Sequence, residues 1–317
     1  MRNLLLWLGL FTACAASAEY PEKPVHIVVP YVAGAMGDVV SRLLAEELRP
    51  KLGQPVIVDN RPGAGGNIGT GAVAAAEPDG YTVVVGATNN FVINQFLYKG
   101  MGFDPLAKLS PVTILVDVPS VIFINAQVPG RTFADFVRYA KANKGKVNYG
   151  SPGAGTTPHL SAALINQTRD LGMTHIPYKG AAQVVSALLA NEVQFYMGGA
   201  GLGAQHVKAG KLYAVAVSND KRLPALPDTP TFNEVGLGDI NASNYWAVAV
   251  PKGTSAEIID KLYQAFRASL AAPASAERFA RLGIVAVGTT PEETAKRWRE
   301  EAAFWAKAVK EMQVRVD

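Results

Sequence analysis

The chain is 317 residues long, 49% hydrophobic and 18% charged, with 30 Lys and Arg against 26 Asp and Glu. An apolar fraction that high excludes disorder, a formal charge of +4 is too small and dispersed for a nucleic-acid binder, and a single cysteine excludes a disulfide framework. The length suffices for two units, each with its own core.

The first residues, MRNLLLWLGLFTACAASA, carry Arg2, an apolar stretch from Leu4 to Ala13, and the small residues Ala16, Ser17 and Ala18. This pattern reads as a secretory signal peptide over residues 1–18. No later run reaches the roughly 18 uninterrupted apolar residues that mark a membrane-crossing helix, so an exported, periplasmic, soluble protein is expected. Cleavage after Ala18 would remove Arg2, leaving 29 basic against 26 acidic residues and a net charge of +3. It would also remove Cys14, and with it any thiolate nucleophile or thiolate metal site. A second reading takes Phe11 to Cys14 as a lipoprotein box with Cys14 as the anchor.

Val25 to Pro30 reads as a strand, Gly34 to Gly37 as a tight turn, and Val39 to Lys51 as a helix ending near Gly53, with Asp38 as its N-cap. The first N–H groups of a helix lack intrahelical partners and sit at its positive end, so such a turn suits an anion. Val56 to Val58 is the next strand. Asn60 to Gly66 turns into a small-residue helix from Ile68 to Ala76, and Pro78-Asp79-Gly80 turns into the strand Tyr81 to Val85, with Asn89 and Asn90 beyond it. Two apolar runs between Pro111 and Asn125 flank Asp117-Val118-Pro119, a candidate crossing between domains. A second βα series follows, with helices near Phe133–Asn143, Pro158–Gln167 and Ala181–Ala190. Its strands fall near Val147, Thr174–Ile176, Val193–Met197 and Tyr213–Val217. Within it, Val147 to Leu160 repeats the opening layout of strand, glycine turn and helix. Leu223 to Pro230 is a proline-rich loop, Tyr245 to Val250 a returning strand, and Ala256–Leu270 and Pro291–Met312 close the chain as helices.

Alternating strands and helices argue for an α/β fold with largely parallel sheets. One domain interrupted by another and joined by two crossover strands makes a hinged clamshell, with residues 19–116 and 246–317 as domain I and 117–245 as domain II.

Several stretches resemble the extracytoplasmic solute receptors of the tripartite tricarboxylate transporters, often called Bug receptors. They are Lys23-Pro24, Pro30-Tyr31 with Gly34 and Asp38, Leu52-Gly53-Gln54, Asn60 to Gly66, and Pro78 to Thr82. Gly150-Ser151, Gly153 and Gly155 with His159-Leu160, Pro177 to Gly180, and Pro230-Thr231 complete the pattern in order. The resemblance implies a two-domain, type II-like periplasmic binding fold that closes on a small organic acid and presents it to integral-membrane permease subunits. It also implies that the acid is held by backbone amides and water from the two glycine loops. A monomer without metal, cofactor or nucleic acid is expected. Neither loop contains Lys or Arg, so helix N-termini and hydroxyls would compensate the charge. The ligand-contacting residues so expected are Tyr31, Ala33, Gly34, Ala35, Met36, Gly37, Asp38, Asn89, Ser151, Gly155, Thr156 and Tyr178. The sequence departs from the family at Ala35-Met36, where a hydroxyl residue is usual, and at Gln194, where aspartate is usual. Both departures point to a less polar ligand, such as an aromatic or long-chain acid.

Other features read more plainly. Asn60 to Gly66 lacks GxGxxG spacing and is structural, with Arg61 pinning the loop; Phe91, Tyr196, Tyr245 and Trp246 are candidate pocket walls or core. Ser151 misses the GxSxG elbow, and a hydrolase would need it to meet His159 in space. An extracytoplasmic sensing protein feeding a signalling partner is the remaining alternative.

Overall fold

The computed structural model describes residues 20–242, 244–314 and 316, so the signal peptide expected over 1–18 and Cys14 lie outside the described residues. The chain begins with β1 (Val25–Val29), α1 (Met36–Leu52), β2 (Val56–Asn60), α2 (Asn67–Ala74) and β3 (Thr82–Ala87). Three short helices, α3 (Thr88–Val92), α4 (Asn94–Leu97) and α5 (Pro105–Lys108), lead into β4 (Leu109–Asp117). The second series is β5 (Ser120–Asn125), α6 (Phe133–Ala142), β6 (Asn148–Ser151), α7 (Thr157–Thr168), β7 (Thr174–Pro177) and α8 (Ala181–Leu189), then β8 (Phe195–Gly199), α9 (Ala200–Lys208) and β9 (Leu212–Val217). The return consists of β10 (Tyr245–Pro251), α10 (Ala256–Leu270), α11 (Pro273–Leu282), β11 (Val285–Ala286) and α12 (Pro291–Met312).

The strands form two sheets, ordered β11-β4-β10-β3-β1-β2 and β7-β6-β8-β5-β9. The sheets are mixed, where sequence pattern pointed to largely parallel ones. β1 is parallel to β2 and β3, and β6 to β7 and β8, but β10 is antiparallel to both its neighbours, as is β5. The cause is the double crossing: a strand arriving from the other unit enters at the edge where the parallel strands end and must run back. For the same reason the loops after β1, β3 and β6 share the edges that face the crossings. The crossing segments are bonded to each other, with Tyr245 opposite Asp117 and Val118 N–H donating to Asn244 O at 2.7 Å.

Each sheet is covered on both faces. Along β1, Ile27 and Val29 pack with Leu44, Leu48, Leu262 and Phe266 from α1 and α10, while Val28 points to the opposite core with Trp298 and Trp305 of α12. In the second sheet Ile122 and Ile124 face α6 and α7, and Val121 and Phe123 face α8. α12 does more than cover the first sheet, because its Phe304 and Met312 also pack against the core beneath α6 and α7. Its Arg297 lies over the Tyr245 ring, 4.5 Å from the centroid, and reaches Asp117 at 3.3 Å and Glu301 at 2.9 Å.

Besides the short α3, α4 and α5, two longer helices escaped the sequence pattern. α9 leaves β8 directly through the small residues Gly198 to Gly201 and buries only Ala200 and Gly203; α11 buries only Ser275 and Phe279. In α9 the apolar stripe is thus too narrow to show a helical period.

Candidate functional site

The turn after β1 is shaped by two glycines acting differently. Gly34 has φ of +82°, a left-handed conformation that costs a side chain energy, and open space surrounds it. Gly37 is there for proximity, since a methyl group on it would overlap the Trp246 ring. α1 starts at Met36, three residues earlier than expected, and its N-cap is Ala35, which offers no side-chain acceptor. Asp38 is therefore not the cap. It sits in the first helical turn, buried, where its carboxylate accepts Gly34 N–H at 2.9 Å and forms an ion pair with Arg42 Nε at 2.9 Å. Burial works against its ionisation, but Arg42, Gly34 N–H and Asn60 outweigh it and hold the carboxyl below its usual range. The first intrahelical bond is Val39 N–H to Ala35 O, so the N–H groups of Met36, Gly37 and Asp38 precede the ladder, and no side chain caps them. Ala33 and Gly34 are exposed, and Ala35 and Met36 half-buried.

Tyr31 stands edge-on to Trp246 with ring centroids 5.2 Å apart, and its hydroxyl lies 3.0 Å from Oδ1 of both Asn89 and Asn90. Burial pushes its pKa up to about 12 against the pull of those two bonds, so it remains a donor. The amides of Asn89, Asn90 and Asn94 all converge on Gly65 O, at 3.1, 2.9 and 3.1 Å. Asn89 also donates to Asn94 Oδ1 at 3.2 Å, so its polar atoms are all engaged within the first unit. This asparagine cluster fixes the Asn60–Gly66 loop against α3, and Arg61, expected to pin that loop, makes no side-chain bond among the described residues.

In the second turn the side chains look inward. Ser151 is fully buried, and its Oγ lies 2.7 Å from His175 Nε2, donates to Gly153 O at 3.0 Å and accepts Gly153 N–H at 3.3 Å. Thr156 is the N-cap of α7, but its hydroxyl donates to Gly153 O at 2.8 Å instead of capping. Gly155 N–H donates to His159 Nδ1 at 3.1 Å, which fixes that nitrogen as unprotonated. His159 and His175 stack at 3.8 Å, with Tyr149 stacked on both. Burial, aided by His175, lowers the pKa of His159 to about 3, and burial lowers that of His175 to about 4. Tyr178 supplies its N–H to Ser151 O at 2.9 Å and is half-buried against the second unit.

The expectation that both turns present free loop amides is thus corrected. The N–H groups of Gly34, Ala35, Gly153, Gly155 and Thr156 are bonded within their own turns, and the open donors are those at the starts of α1 and α7. Ser151 meets His175 and not His159, and no carboxylate is bonded to His175 among the described residues. Tyr98, which no sequence signal marked, stands between the Asn60–Gly66 loop and the second turn. A methyl on Gly65 would overlap its hydroxyl, one on Gly155 would lie 3.8 Å from it and 3.4 Å from Leu97, and its field reaches Tyr31.

The family described as the tripartite tricarboxylate transporter family receptor matches residues 40–314. The chain belongs to that family. Among solved structures similar to this receptor is the periplasmic binding protein BugD, 35% identical, with a TM-score of 0.80 over 93% of this chain and 99% of its own. A Rhodopseudomonas palustris protein with adipate is 29% identical, with a TM-score of 0.83 over 94% and 99% of the two chains. MatC of the same organism, with bound malate, is 28% identical, with a TM-score of 0.80 over 92% and 100%. In this receptor Gln194 is remote from either turn: it accepts Asn148 N–H at 2.9 Å and donates to Asn191 O at 2.7 Å, where β6 and β8 begin. Its departure from the family pattern therefore says nothing about the ligand. Phe91, Tyr196 and Tyr245 are core residues, and Trp246 is the floor under Gly37.

Proposed function

We propose that this receptor works in the periplasm, closes its two units around a small organic acid and hands the acid to integral-membrane permease subunits. The observation that carries the reading is the pair of helices α1 and α7, one from each unit, whose N-termini follow glycine turns and lack side-chain caps. Each offers partial positive charge and free N–H groups, and neither turn holds a cation. The relatives with adipate and malate supply the substrate class.

The proposed lobes are residues 19–116 with 246–317, and 117–245, hinged at the bonded crossing segments. Met36, Gly37 and Asp38 contribute backbone N–H groups; Ala33, Gly34 and Ala35 shape the mouth, and Tyr31 supports it. In the second lobe Gly155 and Thr156 shape the opposing turn, while Ser151 and Tyr178 hold its framework, as Asn89 does in the first. Ser151 and His175 serve that framework and no hydrolysis, because the hydroxyl is fully buried and committed to Gly153. Export follows from Arg2, Leu4–Ala13 and cleavage after Ala18, and among the described residues no helix is long and apolar enough to cross a membrane.

A thermal-shift screen of purified protein against mono- and dicarboxylates, amines and sugars tests the reading. An acid at a hundred times its Kd stabilises the native state by about 2.7 kcal/mol and raises the midpoint on the order of 5 °C. A response to amines or sugars with none to acids would overturn the substrate class.

A further inference from the structure

Besides the two crossing segments, the units touch where α9 begins. β8 runs parallel to β6, so α9 leaves the second sheet at the same edge as the second glycine turn. Its N-cap is Gly199, which has no side chain to cap with, and the N–H groups of Ala200, Gly201 and Leu202 precede the helical ladder. A methyl group on Gly201 would lie 2.7 Å from Leu282 O, and one on Gly283 would lie 3.1 Å from Gly201 N and 3.7 Å from Ala200 Cβ. One on Gly199 would lie 3.2 Å from Val118 Cγ1, on the first crossing. Leu282 is the last residue of α11 and Gly283 its C-cap, so the negative end of one helix faces the positive end of the other. β11 follows and pairs with β4 at Val116 and Asp117, which puts this contact beside the crossings, on the outer side of β4.

Nothing in its own unit accounts for a glycine at position 201. The residue is exposed, lies in the first turn of α9 and is not left-handed, so alanine would favour the helix there. The three atoms nearest a methyl group on it, O and C of Leu282 and N of Gly283, all belong to the other unit. Gly203 differs, for a methyl there would overlap the Phe123 ring of its own sheet. We propose that the start of α9 and the end of α11 form a third joint between the units, a contact of backbone on backbone that sets how closely they stand. With glycine on both faces, the units turn about the crossings with no side chain to interlock. A side chain at position 201 holds α9 off α11, and a small displacement beside the crossings is enlarged at the distant turns before α1 and α7. The joint thus sets the resting gap between those turns while using no group from either, and it goes beyond the receptor reading because it needs no ligand.

The test is a distance measurement in the acid-free protein, between spin labels on Arg49→Cys and Lys141→Cys, exposed residues of α1 and α6 in different units. Gly201→Ala and Gly201→Val are expected to shift the mean label separation, valine more than alanine. Gln205→Ala, exposed on the same helix, leaves it unchanged. Thermal unfolding gives a second readout. Replacing an unconstrained helical glycine by alanine raises the midpoint by roughly 2 °C, whereas Gly201→Ala is expected to lower it. An unchanged separation in Gly201→Val, a raised midpoint in Gly201→Ala, or an equal shift of separation in Gln205→Ala overturns the joint, and none of these outcomes touches the receptor reading.

Discussion

Two imidazoles stacked 3.8 Å apart in a desolvated turn cannot both take a proton cheaply, and His159 and His175 are held neutral for that reason. Their folded-state pKa values, about 3 and about 4, lie below the ordinary 6.5. The unfolded chain therefore binds more protons across that interval, and the stability these residues confer is complete above pH 6.5 and is lost as pH falls toward 4 and then 3. Urea unfolding from pH 7.5 down to pH 4 is expected to show declining stability, with a shallower decline in His175→Asn; parallel slopes in the two proteins would contradict this account. The pairing itself was not legible in the sequence. Ser151 and His175 are 24 positions apart and meet only because β6 and β7 align Tyr149 with His175. Tyr98 was equally invisible, a lone aromatic after a short helix whose importance comes from Gly65 and Gly155 approaching it from two units.

Among the elements, those announced by a cap were read best. Ser255 begins α10, and Thr290 with Glu293 forms the capping box of α12, so both helices were placed where the sequence put them. α1 was misplaced because its cap is Ala35, which gives no signal, while Asp38 three residues on has the chemistry of a cap. That same missing cap yields a prediction. Ala35→Asp supplies an acceptor to the first-turn N–H groups and is expected to stabilise the ligand-free protein by about 1 kcal/mol. The new carboxylate occupies the donors proposed to hold the acid and repels it, so affinity for any carboxylate is expected to fall about tenfold or more. Calorimetry and thermal unfolding on the one variant read both effects; a stabilised protein with undiminished affinity would place the acid elsewhere.

For the whole molecule, the sequence pattern identified the two units and their two crossings, because a domain with an insertion leaves one strand on each side of it. The pattern had no way to show that α12 straddles the two cores and, through Arg297, holds Asp117 on one crossing and Tyr245 on the other. Arg297→Met removes the partner of Glu301, which is only 6% exposed, and strands that carboxylate. A loss of about 3 kcal/mol is expected in urea unfolding, as for a buried pair broken on one side, together with a changed separation of the units in small-angle scattering. Stability within about 0.5 kcal/mol of the unaltered protein would mean that the arginine acts as an ordinary surface group.

The position of β10 between β3 and β4 has one more consequence, for the making of the protein. A ribosome that has not yet reached residue 245 has produced a first sheet in two pieces, with the edges of β3 and β4 lacking their shared neighbour, and no α12 to cover Val28 or Val84. Such a nascent chain stays loose until nearly its last segment emerges. With the export proposed above, late completion of the first sheet would keep the chain in a form that can still be threaded through a membrane.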